Sequence, residues 1–197
     1  MLDAVPFYFL RHGQSTWNRE GRVQGRRDVP LSEEGRAQAE RARALLAGTR
    51  IGTVVASPLA RALETARIVN GALGRPLVVL DELAECGLGA LEGQCVPYDD
   101  WHPRWRRGEG WPEGAEAYED FIARGLRAMN RALAHEGPVL IVAHGGIYWS
   151  VQRHARLGEG RVLANAVPVF HRPPSADAAD WIAEPLDERD GPAPTAV

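Results

Sequence analysis

The chain has 197 residues, of which 45% are hydrophobic and 25% charged, with a formal net charge of -3. That length and composition suit one globular domain with a sizeable core of its own. Interspersed charges of both signs exclude a nucleic-acid-coating or membrane-binding surface, and no apolar run reaches the roughly 20 residues needed to span a bilayer.

The opening stretch, MLDAVPFYFL, lacks the basic start and small-residue cleavage site of a signal peptide, and Pro6 to Leu10 reads as a short buried strand. Arg11 to Leu31 is rich in glycine, arginine and polar residues and reads as loop. Ser32 can cap a helix that carries Glu33 and Glu34 in its first turn, against the positive end of the helix dipole, and stops at Gly48. Thr53 to Ser57 is a second strand. Ser57-Pro58 then predicts a helix start, an N-cap serine with proline at the first helical position, and this helix ends near Gly74. Pro76 to Leu80 is a third strand.

Gln94 to Pro112 is irregular and holds Trp101, Trp105 and Trp111. Tyr118, Phe121, Ile122, Leu126, Met129 and Leu133 recur with helical spacing. Pro138 to Ala143 is the strongest strand and feeds a helix over IYWSVQRHARL. A weaker strand pair follows around AVPVFH and DWIAEPL, and a polar tail from Asp187 is expected to fray. Strands alternating with helices, without an internal repeat, predict one α/β domain over residues 1–197: three layers, α/β/α, around a mostly parallel sheet. The two cysteines, Cys86 and Cys95, form no CxxC and read as bystander thiols, reduced in a cytoplasmic protein.

In such sheets, ligands bind at the carboxyl ends of the strands. Here those ends carry Arg11-His12-Gly13, then Ser57 with Arg61 a helical turn beyond, then Glu85, then His144-Gly145-Gly146. Two arginines near a helix N-terminus suit a tetrahedral oxyanion, because guanidinium pairs bidentately with phosphate oxygens. A histidine among them can attack phosphorus, and a glutamate can protonate a leaving oxygen. No HExxH, carboxylate cluster or Cys/His spacing calls for a metal or other cofactor. Each residue also has a plain alternative: a surface arginine, a structural histidine, an Arg61–Glu64 helix pair, a solvated glutamate, a tight turn. All five at successive strand ends favour a site.

Together these residues resemble the histidine phosphatase superfamily, the phosphoglycerate mutase-like proteins. The signature RHGxSxxN is present as Arg11, His12, Gly13, Ser15 and Asn18, followed by Gln24-Gly25. LSxxGxxQA appears as Leu31, Ser32, Gly35, Gln38 and Ala39, and SPLxRAxxTA as Ser57-Pro58-Leu59, Arg61-Ala62 and Thr65-Ala66. ExxxGxxEG is Glu85, Gly89, Glu92 and Gly93, and the second histidine lies in VAHGG, Val142 to Gly146. The resemblance implies that His12 becomes phosphorylated, that Arg11, Arg61 and His144 surround the phosphoryl group, and that Asn18 hydrogen-bonds it. Ser15, Gln24, Gly25 and Gly145 would line the same pocket. It also implies a histidine acid-type phosphoric monoester hydrolase that needs no metal. His12 must then be neutral at the attacking nitrogen, with its other ring nitrogen donating to a backbone carbonyl near Gly13. Glu85, as acid and then base, is expected to have a raised pKa.

Mutases of this fold carry a longer insert before the second histidine and continue it as HGNSLR, where this chain has HGGIYW. Hydrolysis of a small-molecule phosphomonoester is therefore expected ahead of mutase-type transfer. A non-catalytic phospho-ligand-binding protein ranks lower, since His12, Arg61, Glu85 and His144 are all kept. PEGAE, Pro112 to Glu116, resembles the PGGE element of phosphatase members. Arg106 and Arg107, within the aromatic loop 94–111, are candidates for gripping an anionic or planar leaving group, or form a solvated basic turn.

Overall fold

The computed structural model describes residues 1–110, 112–158 and 163–186; Trp111 and the tail expected to fray from Asp187 lie outside them. Six strands form one sheet in the order β3-β2-β4-β1-β5-β6. They are β1 (Phe7–Arg11), β2 (Thr53–Ala56), β3 (Leu77–Val79), β4 (Val139–Ala143), β5 (Pro168–Arg172) and β6 (Ile182–Pro185). The first four in spatial order pair parallel, whereas β5 runs antiparallel to β1, and β6 to β5.

Alternation along the strands builds two cores. Phe7, Phe9, Val55, Val139 and Ile141 face one side, where they meet Phe121, Ile122 and Met129 of α5 (Tyr118–Leu133) and Ile147 and Val151 of α6 (Gly145–Ala155). Tyr8, Leu10, Val54, Leu140 and Val142 face the other, against Ala42 and Leu46 of α2 (Glu33–Leu46) and Ala66 and Val69 of α3 (Ala60–Leu73). Strands buried on both faces by helices are what a central parallel sheet requires. The three-layer α/β/α architecture expected from the sequence is present.

Three local expectations need correction. The stretch from Arg11 to Leu31 contains a short helix, α1 (Thr16–Glu20), closed at its start by a capping box between Ser15 and Asn18. Ser57 does not cap a helix: α3 begins at Ala60, and Leu59 at its N-cap position makes no side-chain cap. The aromatic loop, expected to be irregular, holds a helix, α4 (Tyr98–Arg106). It is seated by Trp105, whose ring is fully buried against Tyr118 and whose Nε1 donates to Glu116 O at 2.9 Å.

Within α4, His102 stacks on Tyr98 with ring centroids 4.1 Å apart and lies 4.6 Å from Trp149. Its buried Nε2 has no hydrogen-bond partner, and burial followed by the Arg106 charge lowers its pKa to about 4. The folded state thus refuses a proton that the unfolded chain accepts below about 6.5. Its contribution to stability is present above that pH and is lost as pH falls toward 4. The melting temperature should accordingly drop over this window, and His102→Phe should flatten the drop in a pH series of thermal melts.

Candidate active site

The sheet order sets three strand ends side by side: β2, β4, β1. Ser57 follows β2, His144 follows β4 and His12 follows β1. His12 N donates to Ala143 O, and Ser57 N to Val142 O, both at 3.0 Å, so ladder hydrogen bonds continue past the strands and fix these residues. His144 Nε2 shares a 2.7 Å hydrogen bond with Ser57 Oγ, and the His12 and His144 rings lie 5.2 Å apart. Both histidines are buried.

The turn after β1 is shaped by glycine. A Cβ on Gly13 would stand 2.3 Å from Gly35 O, and one on Gly35 would stand 2.0 Å from Gln14 O. The loop and the start of α2 therefore meet backbone to backbone. Ser32 closes that contact, accepting from Gly35 N and donating to Gln14 Oε1. Gly13 N donates to Thr65 Oγ1, and His12 Nδ1 lies 2.7 Å from Gly13 O. A carbonyl only accepts, so Nδ1 carries the proton and Nε2 the lone pair. Burial, then the charges of Arg61 and Arg11, hold the His12 imidazolium well below the usual histidine range, against the opposing pull of Gly13 O. His144 is lowered in the same way, by burial and then by Arg61.

Arg61 is 1% exposed, which removes the reading of a surface pair with Glu64; that glutamate binds Arg36 instead. Arg61 donates to Arg27 O at 2.8 Å and Gly25 O at 2.9 Å, and its Nε has no partner. Burial lowers its pKa to about 10, so it keeps its charge near neutral pH. Arg11 donates to Leu163 O, and its Nε is likewise buried and without a partner. Glu92 pins the loop that receives Arg61: its Oε1 accepts from Arg26 N and Leu88 N, and a Cβ on Gly25 would collide with it at 2.2 Å.

Glu85 stands opposite. Its Oε1 accepts from Cys86 N and its Oε2 from Gly146 N, each at 3.0 Å. Burial raises its pKa, outweighing those two amides and the charges of Arg61 and Arg11. A Cβ on Gly146 would lie 2.2 Å from Oε1, so glycine there admits the carboxyl. Behind Glu85, Arg124 donates to Glu82 O, Ala84 O and Glu85 O, and makes a two-pronged ion pair with Glu116. Arg26 adds bonds to Glu85 O and Glu116. The Arg124 and Glu116 side chains are 13% and 18% exposed. Breaking a largely buried pair leaves an uncompensated charge and costs about 3–5 kcal/mol. Arg124→Ala should lose about that much in denaturant unfolding and should also depress kcat, whereas Arg153→Ala, at an exposed pair with Glu119, should change stability by under about 1 kcal/mol.

A cleft of about 630 Å³ opens over these groups, lined by Arg11, His12, Asn18, Gln24, Gly25, Arg61, Glu85 and Gly145 among others. All five residues expected to carry the chemistry are thus gathered, His144 just beneath His12. Asn18 and Gln24 reach the cleft, each with its side-chain oxygen already accepting from Ser15. Three expected binding residues stand elsewhere. Ser15 is fully buried and spent on the α1 cap and on Gln24. Arg106 lies over the Tyr118 ring and lines a separate recess, and Arg107 is exposed and paired with Glu109 at 2.8 Å. Arg106, in the last turn of α4, and Arg107, at its C-cap, are both absent from the cleft lining. Cys86 lines the cleft, but burial pushes its thiol up, which keeps it protonated.

The sequence reading missed Ser57 as the partner of His144, Thr65 as the anchor of Gly13, Asn165, whose Nδ2 donates to His12 O at 2.8 Å, and the Arg124–Glu116 brace. Ser57, Thr65 and Glu116 sit inside the family's motifs; Arg124 and Asn165 carry no such signal.

A mostly parallel sheet with two histidines on neighbouring strand ends, flanked by buried arginines, defines the phosphoglycerate mutase-like class of α/β fold. The chain belongs to branch 1 of the histidine phosphatase superfamily, whose family model matches residues 7–165. It is 35% identical to a glucosyl-3-phosphoglycerate phosphatase of Mycolicibacterium vanbaalenii over 153 residues, 70% of this chain and 68% of that one. It is 37% identical to a 2,3-bisphosphoglycerate-dependent phosphoglycerate mutase of Gloeobacter violaceus over 150 residues, 69% and 68% of the two chains. The solved structure of a mycobacterial glucosyl-3-phosphoglycerate phosphatase in complex with VO3 superposes with a TM-score of 0.76 at 27% identity, over 91% of this chain and 96% of that one. Among the described residues, no helix is long and apolar enough to cross a membrane.

Proposed function

We propose that the chain is a metal-independent phosphomonoester hydrolase of the histidine acid type that works through a phosphohistidine on His12. The observation that carries this is the fixed tautomer of His12: Nδ1 is held on Gly13 O, which leaves the Nε2 lone pair for phosphorus. Its lowered pKa keeps that lone pair free of a proton at neutral pH.

A phosphomonoester dianion enters between Arg11 and Arg61, whose unpartnered Nε groups and charges offset the charge of the phosphoryl oxygens. Nε2 of His12 attacks phosphorus as the P–O ester bond breaks. The leaving oxygen takes the proton of the Glu85 carboxyl and departs as an alcohol. The resulting carboxylate takes a proton from water, whose oxygen attacks the phosphohistidine. The P–N bond breaks, inorganic phosphate leaves, and His12 and Glu85 return to their starting states. Mutase-type transfer would use the same first half. It would also require a second anion to be held during turnover, and among the described residues the outer cleft offers Arg22, already bonded to Glu20, and the carboxylate of Asp99.

The test is hydrolysis of p-nitrophenyl phosphate in excess EDTA, with enzyme quenched in alkaline detergent and examined for a phosphoryl group that is stable to base and labile to acid. Undiminished turnover with such a label supports the proposal. Loss of activity to the chelator, restored by a divalent ion, overturns metal independence.

A further inference from the structure

The cleft is larger than a phosphate needs, and its outer part differs in character from its floor. Leu88, Val96, Pro97, Tyr98, Trp101 and Trp149 wall it. Tyr98, at 45% exposed, is among the few large hydrophobic side chains on the described surface, and it stands at the lip. Trp101 packs edge-on to Tyr98 at 5.6 Å, and Trp149 lies 6.2 Å from it, so the wall is a continuous aromatic surface.

Among the described residues lining this outer part, two carry charge: Arg22 and Asp99. Two donors of Arg22 are already engaged, its Nε with Glu20 at 2.8 Å and its Nη1 with Gly93 O at 3.0 Å. Asp99 stands on α4 beside Tyr98; of the two cations on that helix, Arg104 is exposed and does not line the cleft, and Arg106 faces the recess lined by Tyr98 and His102. A second anionic group on a substrate would leave water for an aromatic wall and a carboxylate, and among the described residues no uncommitted guanidinium fork lines this part to receive it. An uncharged planar ring would bury against Tyr98, Trp101 and Trp149 at no such cost.

We infer that the substrates are phosphomonoesters of uncharged alcohols bearing a planar ring or comparable apolar body, and that Asp99 with the aromatic wall rejects esters carrying a second anion. This rests on the phosphatase reading above. It sets the chain apart from proteins of the same fold that handle phosphoglycerates, whose carboxylate is such a second anion.

A matched pair of esters isolates charge from shape: 4-carbamoylphenyl phosphate and 4-carboxyphenyl phosphate, which differ in one neutral or anionic substituent. Wild-type kcat/KM should favour the carbamoyl ester by about tenfold or more, the discrimination expected from an uncompensated anion. 3-Phosphoglycerate should be poorer still. Asp99→Asn should narrow the ratio chiefly by improving the carboxy ester, and Trp101→Ala should raise KM for both aryl esters with less change in kcat. Equal rates for the pair, or preference for the carboxy ester, would overturn the inference while leaving the hydrolase reading intact. No turnover of any ester, and no phosphohistidine on quenching, would overturn the hydrolase reading and this inference with it.

Discussion

His12→Ala should abolish turnover of every phosphomonoester, by more than about 10⁴-fold, the scale on which removal of a covalent nucleophile acts. The residue cannot be replaced by a neighbour. His144, 5.2 Å away between ring centroids, has its Nε2 on Ser57 Oγ, is fully buried and does not line the cleft, so it is not presented to a substrate there as His12 is. Cys86 lines the cleft but is held as a thiol. The variant should still fold, because the His12 backbone bonds to Ala143 and Asn165 do not involve the ring. Deleting a buried neutral imidazole also removes an acid-sensitive group. Its melting point should therefore fall less steeply below pH 6.5 than that of wild type. Phosphate affinity should survive too, since Arg11 and Arg61 remain. Turnover persisting in a well-folded His12→Ala would mean that another group is the nucleophile.

Glu85→Gln should show a loss that depends on the leaving group. With alkyl phosphates, whose alkoxide needs a proton, kcat/KM should fall about 10²–10⁴-fold, the usual range for a lost general acid. With p-nitrophenyl phosphate, whose phenolate leaves without one, the first half-reaction should be nearly spared and hydrolysis of the phosphohistidine should become limiting. A burst of nitrophenol followed by slow turnover, with the phosphoenzyme accumulating, is the expected record. The pH profile gives an independent check. Acid catalysis needs protonated Glu85, so wild-type kcat/KM should decline as pH rises through its raised pKa. Nucleophilic attack needs neutral His12, so it should also decline as pH falls through the lowered pKa of that residue. Glutamine cannot titrate: the variant should keep the acid limb and lose the alkaline one. Both carboxyl oxygens accept backbone N–H groups, so the amide must set an NH2 against Cys86 N or Gly146 N. A thermal melt separates that local cost from the lost proton. Survival of the alkaline limb in the variant would remove Glu85 as the acid.

Most of the strand framework was legible because parallel strands buried on both faces read as unbroken apolar runs, and Phe7–Leu10 and Val139–Ala143 are such runs. The chemistry was legible for a related reason: arginine, histidine and glutamate are conspicuous where such runs end. What failed was local. The α4 sequence does place Tyr98, Trp101, His102 and Trp105 on one face, but Pro97 and Pro103 argue against helix, and the contacts that override them come from Tyr118, Phe121 and Trp149, distant in sequence. Ser57-Pro58 matched a helix start, yet the hydroxyl serves His144 across the sheet. Arg106 and Arg107 were placed by composition, and only the fold shows Arg106 over the Tyr118 ring and Arg107 paired with Glu109 beyond the end of α4. Arg124 looked like any charged residue on a helix; its partners are backbone carbonyls around Glu85, which no pattern in the sequence displays.

The adjacency of β1 and β4 also bears on how the molecule is made. Two strands and five helices lie between them along the chain, yet they pair residue for residue, Phe7 with Val139 through Arg11 with Ala143. The entropy of closing so long a loop must be met before that pairing returns any contact energy, whereas α2, α3 and α5 can form from neighbours in sequence. After dilution from denaturant, helical circular dichroism should therefore recover ahead of phosphatase turnover. Because His12 and His144 meet only when this central pair has zipped, enzymatic activity becomes a clock for that long-range event in folding.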